Sequence, residues 1–443
     1  MSHVLHRSLQ YQPPRAVRGD GPYIIDADGR RYLDGCGGAA VSCLGHSHPR
    51  VVEAVQRQAG QMPYAHTSFF STDAMEMLAE MLTENAPGMS KVLLVSGGSE
   101  TIEAALKLSR QYFVEKGEGQ RHLFIARRQS YHGNTLGALA VGGNEWRRRN
   151  FAPLMVPGHH VAPCFEYRDK REDESGHDYG RRVADELETK IQELGPGNVA
   201  AFVAETVVGA TAGAVTAVPG YFRHIRDICD EYGIHLILDE VMCGTGRTGT
   251  MMAYEQEDIV PDMVTMAKGL AAGYQPVGAL LCRGEITDVI RRGSGFFQHG
   301  HTFMGHATAV AASLATQQAI RDEELLGNVV EQGRRIRRML TDALGNHENV
   351  GDVRGRGMFI GVEFVADRES KKPLDPANKS HNRVQKAALD NGLMVYGMGG
   401  TIDGRQGDHV LIAPPYNLES AQAEELVAKL AAAVMASFPG PQS

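Results

Sequence analysis

Only six cysteines occur in 443 residues, at positions 36, 43, 164, 229, 243 and 282, and no two form a CxxC pair. That spacing excludes a zinc ribbon and a thioredoxin motif. So thin a scatter in a long chain fits reduced thiols in a cytoplasm. Long apolar runs are missing as well: no run of about 18 apolar residues exists to cross a bilayer. The stretch 1–14 lacks the apolar core of a secretory leader. Positive charge is in short supply. Against 45 Lys and Arg stand 53 Asp and Glu, a net charge of −8 with 18 His neutral. Nucleic acid or an anionic membrane is therefore a poor main partner, although a local positive pocket stays possible. Two nucleotide motifs are absent, GxxxxGK(S/T) and GxGxxG with its later acidic residue, which removes the main signature of a nicotinamide oxidoreductase on a Rossmann fold. There is no internal repeat and no low-complexity tract.

What is present reads as a soluble globular protein. Hydrophobic residues make up 42% and charged residues 22% of the chain, enough for a substantial core and a length fit for two or three domain-sized units. Residues 21–34 (GPYIIDADGRRYLD) hold two apolar runs around Asp28-Gly29, a hairpin signal. Helical spacing covers 50–62 and 73–84, the latter with Met75, Leu78, Ala79 and Leu82 on one face. Short apolar runs then recur at 92–95, 123–126, 200–204, 236–238, 263–266 and 278–281, mostly separated by helix-length segments. That alternation predicts an α/β fold with a largely parallel sheet between helices. The charged stretch 166–179 reads as a solvated loop. After a helical stretch near 305–345, strands at 357–365, 393–396 and 409–412 and an amphipathic helix at 420–438 suggest a smaller α+β domain. The expected division is 1–60, the N-terminal part of the small domain; 61–325, the large domain; and 326–443, the rest of the small domain.

Four segments carry chemistry. Residues 95–105 (VSGGSETIEAA) end a strand, turn through Gly97 and Gly98, and open a helix at Ser99. N–H groups and the dipole at a helix N-terminus bind anions, and glycines let an anion approach the backbone. Many ordinary strand-to-helix turns look the same. Tyr131, in the sequence SYHG after the run 123–126, lies where ligands bind α/β sheets. Its ring can stack on a flat cofactor, or simply pack. Residues 236–247 (LILDEVMCGTGR) lead an apolar strand straight into Asp239 and Glu240. A carboxylate there needs a positive partner, which a protonated pyridine nitrogen supplies; a helix cap or an ion pair is the plainer alternative. Lys268 follows another apolar run, in PDMVTMAKGL. Desolvation there lowers a lysine's pKa and makes it a nucleophile toward carbonyls; an exposed lysine, or one paired with Asp262, is the alternative. Together the four are the parts that pyridoxal 5'-phosphate (PLP) needs.

The ordered set SGGSE, YHG, AETVVGATAG, LILDEV, GRTG, AKG and HGHTFMGH resembles the class III, or ω-type, aminotransferases, which are fold-type I PLP enzymes. The likeness runs from YLDGCGG and GHSHP near the start to APP at 413–415. It implies that Gly98 and Ser99 bind the phosphate, that Tyr131 stacks on the ring with His132 beside it, and that Glu205 lies near the cofactor hydroxyl. It further implies that Asp239 pairs with the ring nitrogen and Val241 packs on the other face. Lys268 is the implied Schiff-base lysine and proton shuttle. Thr302 is expected to reach the phosphate of a partner subunit, which implies a homodimer or a dimer of dimers with shared sites. Three departures stand out. Gly38-Ala39-Ala40 is small where many members carry a bulky aromatic, so Ala40 is expected at the substrate pocket. Tyr396 stands where an arginine often meets substrate carboxylates, which leaves Arg405, in the glycine-rich segment 397–407, as the candidate reader. Met242 replaces a frequent glutamine. The expectation is a transaminase moving nitrogen from an amine or ω-amino acid to a 2-oxo acid such as pyruvate in a ping-pong cycle. A decarboxylating lyase or an aminomutase shares the fold and the cofactor.

Overall fold

The computed structural model describes residues 3–438. Met1 and Ser2 of the N-terminal stretch and residues 439–443 of the expected C-terminal domain lie outside it. Strands β1 (Ala16–Asp20), β2 (Tyr23–Asp26) and β3 (Arg31–Asp34) form an antiparallel meander. The β2–β3 turn is the expected hairpin, with Gly29 at φ 80°, a conformation that glycine adopts without strain.

A seven-stranded sheet follows. It is built from β4 (Lys91–Val95), β5 (Leu123–Arg127), β6 (His159–Val161), β7 (Val199–Glu205), β10 (His235–Asp239), β11 (Met263–Met266) and β12 (Gly278–Cys282). The two-residue strands β8 (Val207–Val208) and β9 (Val215–Thr216) make a separate ribbon. The sheet order is β4-β12-β11-β10-β7-β5-β6. Strand β12 runs antiparallel to both its neighbours, and the remaining pairings are parallel. Six strands therefore end on one edge. β7 and β10 are buried along their whole length, as strands covered on both faces must be. Their side chains alternate between two cores. Phe202, Ala204, Leu236 and Leu238 join the larger cluster, while Ala201, Val203 and Ile237 join the other, with Ile102, Ala105 and Leu108 of the helix Gly98–Glu115. The period of two along a strand produces that partition.

The helix Asp73–Glu84 has the predicted bounds, with Leu78, Met81 and Leu82 buried. The Thr72 hydroxyl caps it by accepting from the Met75 N–H at 3.3 Å. The helical stretch near 305–345 is two helices, Ala307–Asp322 and Leu325–Leu344. Beyond them, β13 (Val350–Arg356), β14 (Phe359–Phe364), β16 (Tyr396–Gly399) and β17 (Asp408–Ile412) form a sheet of order β13-β14-β17-β16. The strand expected at 393–396 is divided. β15 (Leu393–Met394) pairs in parallel with β3, and Tyr396 opens β16 in the other sheet. The two ends of the chain thus share one sheet. Among the described residues, no helix is long and apolar enough to cross a membrane.

Residues 166–179 are only in part the solvated loop their charge suggested: 170–175 are loop and mostly exposed, and the two ends differ. Helix covers Glu166–Asp169 and begins again at Gly176. Tyr179 is buried, and its hydroxyl accepts from the Phe165 N–H at 2.7 Å. Arg168 Nε donates to Glu363 Oε1 at 2.7 Å, across 195 residues of sequence. Arg354 Nη1 lies 2.6 Å from the other Glu363 oxygen. The charges face a buried counter-charge that composition does not reveal. Removing that carboxylate leaves two desolvated guanidinium groups without it, a loss of about 3–5 kcal/mol. Glu363→Ala is therefore expected to lower the urea unfolding midpoint sharply, and Glu363→Gln, which keeps an acceptor, to lower it less. An unchanged midpoint in Glu363→Ala contradicts the account.

Candidate active site

The shared carboxyl edge of the sheet places the site. Parallel register sets Asp239, the last residue of β10, beside Glu205 at the end of β7 and beside Thr265 in β11. Lys268 comes two residues after β11, with a left-handed backbone at φ 49°, a conformation uncommon outside glycine and concentrated at functional sites. Tyr131 and His132 follow β5, and Gly97 and Gly98 follow β4. A cavity of about 450 Å³ opens between these ends. Gly98, Ser99, Tyr131, His132, Glu205, Asp239, Val241 and Lys268 all line it.

Each charged group has a definite setting. Asp239 is 4% exposed. Its Oδ1 accepts from the Val241 N–H at 3.0 Å, and its Oδ2 lies 2.8 Å from His132 Nδ1. His132 Nε2 is buried without a partner among the described residues. Glu205 takes two backbone donors, the Tyr131 N–H at 3.1 Å and the Gly209 N–H at 2.7 Å. Burial above all, and the Asp239 charge after the opposing effect of His132, raises its pKa. Among the described residues nothing donates to or pairs with the Lys268 amine. Desolvation brings its pKa down to about 8, although Asp239 and Glu205 pull the other way. At that value about a tenth of the amine is uncharged at pH 7, far more than for an ordinary lysine, and the uncharged state is the one in which nitrogen is a nucleophile.

The helix Gly98–Glu115 points its N-terminus into the cavity. A Cβ on Gly98 would come within 3.0 Å of Val241 Cγ1, and one on Gly133 within 2.6 Å of Ser99 Oγ. Both glycines are thus dictated by close approach. Ser99 Oγ also accepts from the Asn134 N–H at 3.0 Å, which ties the helix start to the loop carrying Tyr131. Glu240, next to Asp239, faces elsewhere. It accepts from Thr206 Oγ1 and from the Ala253 and Tyr254 N–H groups at 2.6–2.8 Å. The carboxylate pair in the sequence is thus one cavity acid and one structural acid.

The remaining expected residues lie apart. Ala40 is buried in an apolar cluster with Val207 and Met242, against which Tyr396 packs. Met242 and Val207 line the cavity, so this cluster forms its wall. Thr302 is exposed, its carbonyl accepting from the Tyr64 hydroxyl at 2.7 Å. Arg405 is also exposed and does not line the cavity. The N–H groups of Arg405 and Gln406 both donate to Asp403 Oδ1, at 2.8 and 2.7 Å, so the segment is held by its own turn. Sequence reasoning missed Gln275, Pro276 and Val277, which also line the cavity. No pattern in the stretch after Lys268 marks them. It also missed Arg147, whose guanidinium carbon sits 4.5 Å from the centre of the Tyr131 ring.

Known proteins match this arrangement along nearly the whole chain. The family model described as aminotransferase class-III matches residues 7–434. An aminotransferase of Gibberella zeae is 42% identical over 97% of this chain and 86% of its own length. An uncharacterized aminotransferase of Schizosaccharomyces pombe is 42% identical over 97% of this chain and 94% of its own. Among solved structures, an amine transaminase from an uncultivated Pseudomonas species in its PLP-bound form superposes with a TM-score of 0.91 at 34% identity, covering 99% of both chains. The chain belongs to the class III aminotransferases, PLP-dependent enzymes of fold type I.

Proposed function

We propose that the enzyme transfers an amino group from an amine or ω-amino acid to a 2-oxo acid such as pyruvate, by a ping-pong cycle in one cavity, with Lys268 as its covalent and proton-transferring residue. The observation that carries this reading is Lys268 itself, an amine that among the described residues has no hydrogen bond or ion-pair contact, in a cavity that also holds Asp239. The residues fit PLP. The helix start at Gly98 and Ser99 offers N–H donors to a phosphate, the Tyr131 ring and Val241 offer flat apolar contact, and His132 Nε2 is a buried polar atom awaiting a partner. Bound there, PLP supplies a carbonyl for the amine and a ring that takes up the electrons left when a C–H bond breaks. Asp239 holds a proton on the ring nitrogen, and His132 orients Asp239. Glu205 fixes the Tyr131 loop through its backbone bond. Lys268 Nζ lifts the proton from the donor carbon and returns it on the other side of the reaction.

The other assignments complete the proposal. Thr302, exposed beside Phe303, which is 59% exposed, reaches the phosphate of a partner subunit in a homodimer. The apolar side chains of Phe69, Phe70 and Phe296 are also left uncovered, and such surface favours association. Residues 61–325 form the large domain, and the chain ends form the small one. Six buried thiols without a disulfide suit a cytoplasmic enzyme.

Three experiments test this reading. Lys268→Ala is expected to retain PLP through its phosphate yet show no turnover; borohydride reduction of the wild type followed by peptide mapping is expected to mark Lys268, and a mark on another lysine ends the assignment. Asp239→Asn is expected to lower kcat by about 10²–10³-fold, the usual scale for losing one preorganised electrostatic contact; near-normal turnover rejects its role. The third test concerns pH. An ordinary lysine loses its proton near 10.5, but Lys268 does so near 8. Between those values the folded amine is neutral while the unfolded one is charged, so the apoprotein gains stability as pH rises through that window. Covalent capture of PLP, followed by its absorbance, is expected to accelerate as pH rises through about 8. A rate flat across that value contradicts the shift.

A further inference from the structure

Among the described residues the Arg147 guanidinium has aromatic rings as neighbours and no ion pair. It lies in the short helix Glu145–Arg148, whose capping residue Asn144 accepts from the Arg147 N–H at 3.2 Å. Asn144 Nδ2 in turn donates to Gln129 Oε1 at 3.2 Å, and Gln129 Nε2 donates to the Gly400 carbonyl. A Cβ on Gly404 would lie 3.1 Å from the Trp146 backbone nitrogen. The glycine-rich segment 397–407 is therefore fastened against the element that carries Arg147.

The side chain is half-buried, and its Nε is buried with no hydrogen bond. Among the described residues no carboxylate or carbonyl pairs with its guanidinium. Other shielded arginines have such partners: Arg226 pairs with Asp262 at 2.7 Å, and Arg121 donates to the Val199 carbonyl at 2.9 Å. Arg147 rests instead over the Tyr131 ring, at 4.5 Å, and Tyr131 lines the cavity with Lys268. Its charge is felt there, since it is among the groups that lower the proton affinity of both Tyr131 and Lys268. A stacked guanidinium keeps its edge donors free, and that planar fork matches a carboxylate in bidentate fashion.

We infer that Arg147 receives the carboxylate of the 2-oxo acid acceptor, and that the Tyr131 face is its resting place when the bound partner has no acid group. This assignment rests on the transaminase reading and names the group that reads its acceptor's carboxylate. One cavity must accept an anion in one half-reaction and an uncharged group in the other. A guanidinium fixed in an apolar wall would reject the uncharged donor. A guanidinium parked on an aromatic ring is held only weakly, so it can turn to an acid without leaving a costly vacancy behind. Arg405, exposed and held in its own turn, has no such position.

Propionate and its neutral isostere propionamide, titrated into the PLP-loaded enzyme and followed by the cofactor absorbance band, test the assignment. Wild type, Arg147→Gln, Arg147→Lys and Arg405→Ala are compared, together with KM for pyruvate and for 1-phenylethylamine. Losing a charge-assisted pair at a half-exposed site is expected to weaken propionate and to raise the pyruvate KM by about tenfold or more. The lysine variant is expected to recover part of that loss, while propionamide binding and the amine KM stay near wild type. Four results overturn the assignment: propionate binding unchanged in Arg147→Gln, propionate and propionamide weakened alike, loss of PLP rather than of propionate, or weakening in Arg405→Ala alone. A wild-type protein that takes up no PLP overturns the transaminase reading and this assignment with it; a loaded enzyme indifferent to Arg147→Gln overturns the assignment only.

Discussion

Three ionisable side chains, Asp239, Glu205 and Lys268, share one desolvated space at the edge of a sheet, and the cost of holding them there governs their surroundings. An unpaired buried charge is among the most expensive features a fold can contain. Two of the three are stabilised by donors. Glu205 takes the Tyr131 and Gly209 N–H groups, and Asp239 takes the Val241 N–H and faces His132. The third, Lys268, has no such partner, and its proton affinity falls. The network thus leaves uncompensated the one group whose reactivity depends on being uncharged.

That network reaches well beyond the cavity. Glu205 holds Gly209, and the next residue, Ala210, offers its carbonyl to His409 Nε2 at 3.0 Å. His409 Nδ1 lies 2.7 Å from the Thr401 hydroxyl. Burial, with the Arg354 charge adding to it, pushes the His409 pKa down to about 3, so the ring is neutral and bridges two polar groups. A Cβ on Gly213 would lie 2.6 Å from the same ring. From the carboxylate in the large sheet to the segment 397–407 there is therefore a continuous polar path. The sheet β13-β14-β17-β16 is locked to the site by buried hydrogen bonds as well as by apolar packing.

The central sheet was legible because its strands are buried on both faces and stand out as apolar runs ended by turns. The cavity residues were legible for the same reason, since a charge directly after such a run must lie at a strand end. That pattern put Asp239, Glu240 and Lys268 near strand ends, and the likeness to a known family singled out Asp239 and Lys268 and implied roles for the others. What sequence could not give were contacts between distant segments. The stretch 166–179 has the composition of a solvated loop, yet Arg168 finds its counter-charge at Glu363, far along the chain. Arg405 lies among glycines that suggest mobility, but Asp403 and Gly400 hold that segment in place. Arg147 sits in a run of three arginines that nothing local distinguishes, and only the fold brings one of them over the Tyr131 ring.

Asp239 and Glu240 illustrate how far a local pattern carries. Both follow the same apolar strand, and either could be the cavity acid by composition. Side chains alternate along a strand, so the residue following Leu238 faces the helix Gly98–Glu115 side, with Ile237, and opens into the cavity. Glu240, one position on, turns to the opposite side, where Ala253 and Tyr254 present free N–H groups. Desolvation raises its pKa to about 7 even against those three donors. It closes a turn at Ala253–Glu257, whose Ala253 packs in the apolar cluster with Val207 and Met242 of the cavity wall. An exchange of the two residue types would keep the net charge and the motif length. It would also place the shorter side chain where three donors must be reached and the longer one where the Val241 N–H and His132 now meet Asp239. The order of the two acids, more than their presence, separates the acid that faces the cavity from the acid that holds the scaffold.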